Sequence, residues 1–141
     1  MKQMNGFTMV EMLFVLMILS IFTLLVVPGI IRTIEKQETI HFFDVLDSDI
    51  FYIQNQAFGT RHNTRIVFDK EFYVVINDWK TEEIKRYYPK HITYDIKINN
   101  RIAFNNNGTI INPTTFKFRD GEKTYQLVLP LGKGRHYIEE Q

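Results

Sequence analysis

Between Phe7 and Val27 the chain reads FTMVEMLFVLMILSIFTLLVV, with Glu11 as the one formally charged side chain. As a helix rising about 1.5 Å per residue, this stretch reaches roughly 31 Å, close to the roughly 30 Å hydrocarbon core of a bilayer. The run therefore predicts a membrane-spanning helix. A carboxylate costs roughly 2.5–3.5 kcal/mol at a bilayer centre and persists there with a partner, which makes Glu11 a candidate functional residue.

Ahead of the run, MKQMNG carries Lys2 and the amino terminus. The positive-inside rule then keeps the start cytoplasmic and sends everything after Val27 outside. A cleaved secretory signal needs small residues after its apolar core, and VVPGIIRT offers no such site, so the helix is expected to stay as an anchor. The remainder of the 141 residues suffices for one small domain. With 45% hydrophobic and 23% charged residues the composition is that of a folded protein, and the absence of cysteine excludes disulfides and thiolate chemistry. Charge is uneven: Phe7 to Gly59 balances at −4 and Thr60 onward at +4, an asymmetry that can serve partner contacts.

Pro28 removes a backbone donor and disfavours helix at Val27, and Gly29 adds freedom, so a kink or melted turn is expected at 27–29. The helix then resumes. Ile30, Ile31, Ile34, Phe42, Leu46, Ile50, Ile53 and Ala57 recur at steps of three and four and predict a face that packs on a sheet, with Gly59 as the stop. Asp44, Asp47 and Asp49 read as a solvated face or an intersubunit contact. Beyond Gly59 the pattern alternates, and short strands are predicted at 65–69, 72–77, 83–87, 93–98, 102–104, 109–111, 115–119, 125–129 and 135–138. Asp120-Gly121, between FKF and YQLVL, marks the clearest hairpin. The fold class expected is α+β: a leader at 1–6, a long helix over 7–58 and an antiparallel β domain over 59–141.

Gly6, Phe7, Thr8 and Glu11 stand together ahead of an unbroken apolar helix, with Pro28 further on. This arrangement resembles the class III signal of type IV pilins and pseudopilins. The resemblance implies cleavage after Gly6 by a prepilin peptidase and N-methylation of Phe7. It also implies pairing of Glu11 with the Phe7 amine of a neighbouring subunit during filament assembly, and a helix kink at Pro28. The tail FNNNGTI, FKF, YQLVLPLGKGRHYI is similar to secretion-type H pseudopilins and to D-type minor pilins of the ComG competence pilus. That likeness implies a non-enzymatic minor pilin, associated with other major and minor pilins in a hetero-oligomeric filament used in DNA uptake. It would sit in the cytoplasmic membrane by a single pass and on the cell surface in the pilus. A pseudopilin of a protein-secretion system shares every leader feature and is the nearest alternative.

Other chemistry is sparse. His41, His62, His91 and His136 have no metal-ligand spacing, Gly132-Lys133-Gly134 lacks the Walker pattern, and Ser20 and Ser48 are the chain's two serines. No catalytic residue, metal ligand or cofactor is predicted. Basic and aromatic residues interleave at Lys85, Arg86, Tyr87, Tyr88 and Lys90, the combination that single-stranded nucleic-acid surfaces use. Lys85, Arg86, Tyr87 and Lys90 are candidate DNA contacts; a strand with alternate residues facing solvent and core would show the same pattern.

Overall fold

A computed structural model describes residues 8–58, 64–77, 82–96, 98–132 and 135–141. The chain divides into two compact units, Met1–Gln37 and Glu38–Gln141, and the first helix, α1 (Met9–Ala57), contributes to both.

In the first unit, Thr8 opens α1. Its carbonyl accepts from the Met12 N–H at 3.2 Å and its hydroxyl from the Glu11 N–H at 3.3 Å. The first is the opening bond of the helix ladder, and the second occupies one of the donors a helix start leaves unpaired. The helix continues through Pro28 and Gly29, so the turn expected to melt at 27–29 remains helical. Proline withdraws a single donor, and the hydrogen bonds on either side can carry the helix past it. Nearby, the Thr33 hydroxyl donates to the Gly29 carbonyl at 2.9 Å. Ile30, Ile31 and Ile34, expected on the buried face, are about half exposed.

In the second unit α1 buries Thr39, Phe42, Phe43, Leu46, Asp49, Ile50, Ile53 and Ala57. Phe42, Leu46, Ile50, Ile53 and Ala57 are the face that the helical spacing predicted. Thr39 and Asp49 join it because they have polar partners on the sheets. Among the described residues the strands are β1 (Thr64–Phe68), β2 (Phe72–Asn77), β3 (Glu82–Tyr87), β4 (Ile92–Tyr94), β5 (Arg101–Ala103), β6 (Thr114–Asp120), β7 (Lys123–Leu129) and β8 (Tyr137–Glu140). They form two antiparallel sheets, β3-β2-β1-β5 and β4-β6-β7-β8.

The inner faces of both sheets meet α1 in one aromatic core. Phe68 of the first sheet lies 4.5 Å, centroid to centroid, from Phe116 of the second, and Phe42 of the helix touches Tyr73 on one side and Phe118 on the other. Alternation explains the strands: Thr64, Ile66 and Phe68 of β1 are buried while Arg65 and Val67 lie on the opposite face. Burial pushes the Tyr73 and Tyr88 hydroxyls well above the ordinary tyrosine range. Both stay neutral and donate, Tyr73 to Asp49 and Tyr88 to the Asp69 carbonyl.

Three predicted strands differ. The stretch expected to run to Ile98 ends at Tyr94, because the chain leaves the second sheet there for the first: Asn100 exchanges hydrogen bonds of 2.8 Å with Phe68 of β1. The 109–111 strand reduces to a single bridge, Phe104 with Ile110, after a turn in which the Asn105 side chain accepts from the Asn107 and Thr109 N–H groups. The last strand begins at Tyr137 rather than Arg135, since His136 is engaged with Asp47 of α1. The expected hairpin is present: Asp120 pairs with Lys123, and Gly121 supplies the positive φ of 59° that the first position of a two-residue turn demands.

Gly108 is another position that needs glycine. Its φ is +70°, and a Cβ there would lie 2.5 Å from Cε2 of Phe58. Phe58 is largely exposed and its ring can yield, so the backbone term dominates. Gly108→Ala is expected to cost about 1–2 kcal/mol, the range for a left-handed non-glycine residue. A thermal melt of the variant beside the parent chain measures it; an unchanged midpoint would mean the turn relaxes freely.

Candidate assembly segment and nucleic-acid interface

Among the described residues the apolar segment is left uncovered. Every residue from Thr8 to Val27 is exposed, and the 18-residue window that qualifies α1 as a candidate membrane span is 0% buried. Its hydroxyls are satisfied locally: Ser20 donates to the Leu16 carbonyl and Thr23 to the Leu19 carbonyl, each at 2.8 Å. Such back-bonding satisfies both of these hydroxyl donors within the helix. Glu11 differs. It sits in the first helical turn, where the helix dipole favours an anion, yet its carboxylate has no hydrogen bond or ion pair among the described residues. Thr8 and Glu11 have the spacing of a capping box, with one of its two bonds formed, from the Glu11 N–H to the Thr8 hydroxyl. Gly6 and Phe7 lie outside the described residues. Pro28 is interior to α1.

The basic and aromatic candidates separate by strand parity. Lys85 and Tyr87 lie on the outer face of the first sheet, opposite Val74 and Phe72. The Lys85 ammonium stands 3.5 Å from the centroid of the Phe72 ring and 4.9 Å from that of Tyr87, a cation–π cluster. Arg86 turns the other way. Its Nε and Nη2 donate to Asp49 at 2.9 and 3.3 Å, and Asp49 also accepts the Tyr73 hydroxyl at 2.8 Å. The hydrogen bond to Asp49 is the main reason the Arg86 guanidinium is held even more firmly protonated than usual. Lys90 is exposed in the turn before β4, and the neighbouring Tyr88 belongs to the core.

Residues 1–27 match the family model described as the prokaryotic N-terminal methylation motif. By this motif the chain carries the class III signal of type IV pilin-like proteins. Comparison with curated proteins gave no match, and comparison with solved structures gave none. The match accounts for the class III signal, its processing by the corresponding peptidase and the association with membrane machinery that processing requires. The pilin-like fold is present as well, with one long N-terminal helix, apolar in its first part, packed in its second part on antiparallel sheet.

Several residues of this protein take roles that no local motif announces. Asp49, expected at a solvated face or an intersubunit contact, is buried as the partner of Arg86 and Tyr73. Asp47 engages the buried His136, and His91 contacts both Thr39, at 2.9 Å, and Glu38, at 3.7 Å. Thr39 donates onward to Asp120. These contacts tie the second half of α1 to both sheets. Arg65 and Arg101 join Lys85 on the outer face of the first sheet, where Glu83 is the one carboxylate borne by the described strand residues. Their outward parity could be read from R-I-V and R-I-A; their adjacency could not.

Proposed function

We propose that this chain is a minor pilin of a competence type IV pilus that takes up DNA. It is cleaved between Gly6 and Phe7, N-methylated at Phe7, held in the membrane by residues 7–27 and then drawn into the filament. The carrying observation is the methylation motif over residues 1–27 joined to an apolar helix that its own chain leaves uncovered. Such a surface is stable in lipid and equally among like helices, which is what passage from membrane to filament requires. The Glu11 carboxylate would meet the Phe7 amine of a neighbouring major or minor pilin, and Pro28 would allow the helix to adjust on assembly. Mass spectrometry of the mature chain is expected to find Phe7, methylated, at its amino terminus. An intact Met1 start would end the pilin reading. Deletion of the chain should abolish transformation and leave protein secretion unchanged; the reverse outcome would assign it to a secretion pseudopilus.

The Lys85, Phe72 and Tyr87 cluster favours a second reading, in which the subunit touches DNA directly. Charge for the backbone and rings for the bases are the elements of a single-strand surface, and Lys90 adds a further cation at the same end of β3.

A further inference from the structure

Each sheet ends on one short strand and one longer one. β4 and β5 have three residues each, while β3 has six, and β8 is extended by Gln141, which exchanges backbone hydrogen bonds with Thr124. An edge strand presents a row of backbone donors and acceptors to any strand that can lie beside it. The ladders show which groups are open. The Tyr88 N–H donates to the Glu71 carbonyl at 3.0 Å, so these facing residues form a hydrogen-bonded pair. Alternation then turns the backbone groups of Ile84 and Arg86 toward β2, and those of Glu83, Lys85 and Tyr87 toward the open edge. In the second sheet the bonds between Thr124 and Gln141, 3.2 and 2.8 Å, turn Tyr137 and Glu139 toward β7 and leave Ile138 and Glu140 open.

We infer that β3 of one copy of this chain pairs, in parallel, with β8 of a second copy. Side-chain parity decides the direction. Lys85 and Tyr87 lie on the outer face of their sheet and Arg86 on the inner. In β8, Ile138 faces inward, opposite the buried Leu127, so Tyr137 and Glu139 face outward. An antiparallel neighbour would set Lys85 opposite Ile138 or Glu140 and join an outer face to an inner one. In a parallel pair each residue bonds to the two that flank the one opposite, so Lys85 bonds to Ile138 and Glu140 and stands beside Glu139. Outer then meets outer. The same register sets Ile84, an exposed apolar side chain, beside Ile138, and Arg86 beside Glu140. Glu139 has no ion pair among the described residues, and β8 carries two carboxylates and no cation where β3 carries Lys85 and Arg86. A shift of two residues puts Glu83 against Glu139 in one direction and Arg86 against Ile138 in the other, and loses the Lys85–Glu139 match in both. The contact is heterologous and leaves a free β8 on one copy and a free β3 on the next, so it can repeat. It goes beyond the assembly reading, which joins neighbours through residues 7–27. Where it forms, Glu139 takes the Lys85 ammonium that the direct-contact reading gives to DNA.

The chain has no cysteine, which suits it to a disulfide test. Two differently tagged full-length copies, one Glu83→Cys and the other Tyr137→Cys, are mixed in detergent micelles and oxidised. Facing residues on paired strands lie within disulfide reach, so this mixture is expected to yield the heterodimer at least about tenfold above Lys117→Cys mixed with Tyr137→Cys. Tyr87→Cys with Tyr137→Cys, which an antiparallel pairing would bring close, should stay at that background. Adding Lys85→Glu to the first copy, or Glu139→Lys to the second, is expected to cut the yield about fivefold, and adding both to restore it. A yield at background, a dominant disulfide between Tyr87→Cys and Tyr137→Cys, or a dominant one between two Glu83→Cys copies would each overturn the inference. So would charge reversals without effect, or a double reversal that restores nothing. Circular dichroism identical to the parent confirms that each variant is folded. Normal cleavage and filament entry of Glu139→Lys would leave the pilin proposal intact whichever way the pairing falls.

Discussion

Glu11→Val is expected to be cleaved and methylated normally, yet to fall at least about tenfold in sheared filaments. In the membrane the wild-type carboxylate sits near one end of the otherwise uncharged 7–27 segment, with no partner among the described residues of its own chain. A lone carboxylate costs up to roughly 2.5–3.5 kcal/mol, the figure at the bilayer centre, and pairing with an amine on a neighbour would recover part of it. That recovery is a drive toward assembly. Valine removes it twice over: the free subunit becomes more comfortable in lipid, and the neighbour's Phe7 amine is left alone in the packed filament. Since about 1.4 kcal/mol is a factor of ten in an equilibrium, even half the pairing energy gives the predicted loss. The measurement is an immunoblot of sheared filaments against membranes, with mass spectrometry of the amino terminus as the processing control. Wild-type incorporation of the valine variant would remove the assembly role.

The parts of the fold that were legible in sequence are the ones set by local period. An apolar run of bilayer length, a helical stripe through Phe42, Leu46, Ile50, Ile53 and Ala57, and alternation through 64–77 and 114–129 each declare their element without reference to the rest of the chain. The distribution of strands between two sheets is a different kind of information. It depends on where the chain crosses after Tyr94, and that is decided by Asn100 meeting Phe68, residues 32 apart in sequence. The buried polar positions are hidden for the same reason. Asp49 reads as solvated until Arg86, 37 residues on, is brought beneath the helix. Of the candidate DNA contacts, Lys85 and Tyr87 were visible as an interleaved motif, and parity alone separates them from Arg86. Arg65 and Arg101 carry no motif at all, because β1 and β5 become neighbours only through a pairing that spans most of the first sheet's sequence. The class III signal, by contrast, is read whole from residues 1–27.

Asp49→Ala is expected to destabilise the second unit by about 2–4 kcal/mol, lowering its melting midpoint by roughly 10 °C or more. The Tyr73 hydroxyl is fully buried and loses its acceptor, and Arg86 loses its counter-charge. Arg86 contributes the smaller share, since its side chain is 41% exposed and can turn to water, which screens it. Asp49→Asn keeps an acceptor for Tyr73 and should cost less. The triple replacement Asp49→Leu, Tyr73→Phe and Arg86→Met should recover most of the stability, because an apolar substitute for a buried polar group avoids its desolvation. The effect should also be local. β3 is an edge strand, paired on one side by β2, and the Asp49–Arg86 bond fastens it to the helix. Hydrogen exchange in Asp49→Ala should therefore quicken in β3 before β1 or β6, loosening the strand that presents Lys85 and Tyr87. A midpoint within about 2 °C of the parent would show the pair to be energetically neutral. In that case Arg86 could leave Asp49 at little cost and join Lys85 at an anionic partner. If the predicted loss is found, Arg86 is a structural residue, and the charge on the outer face is carried by Lys85, Arg65 and Arg101.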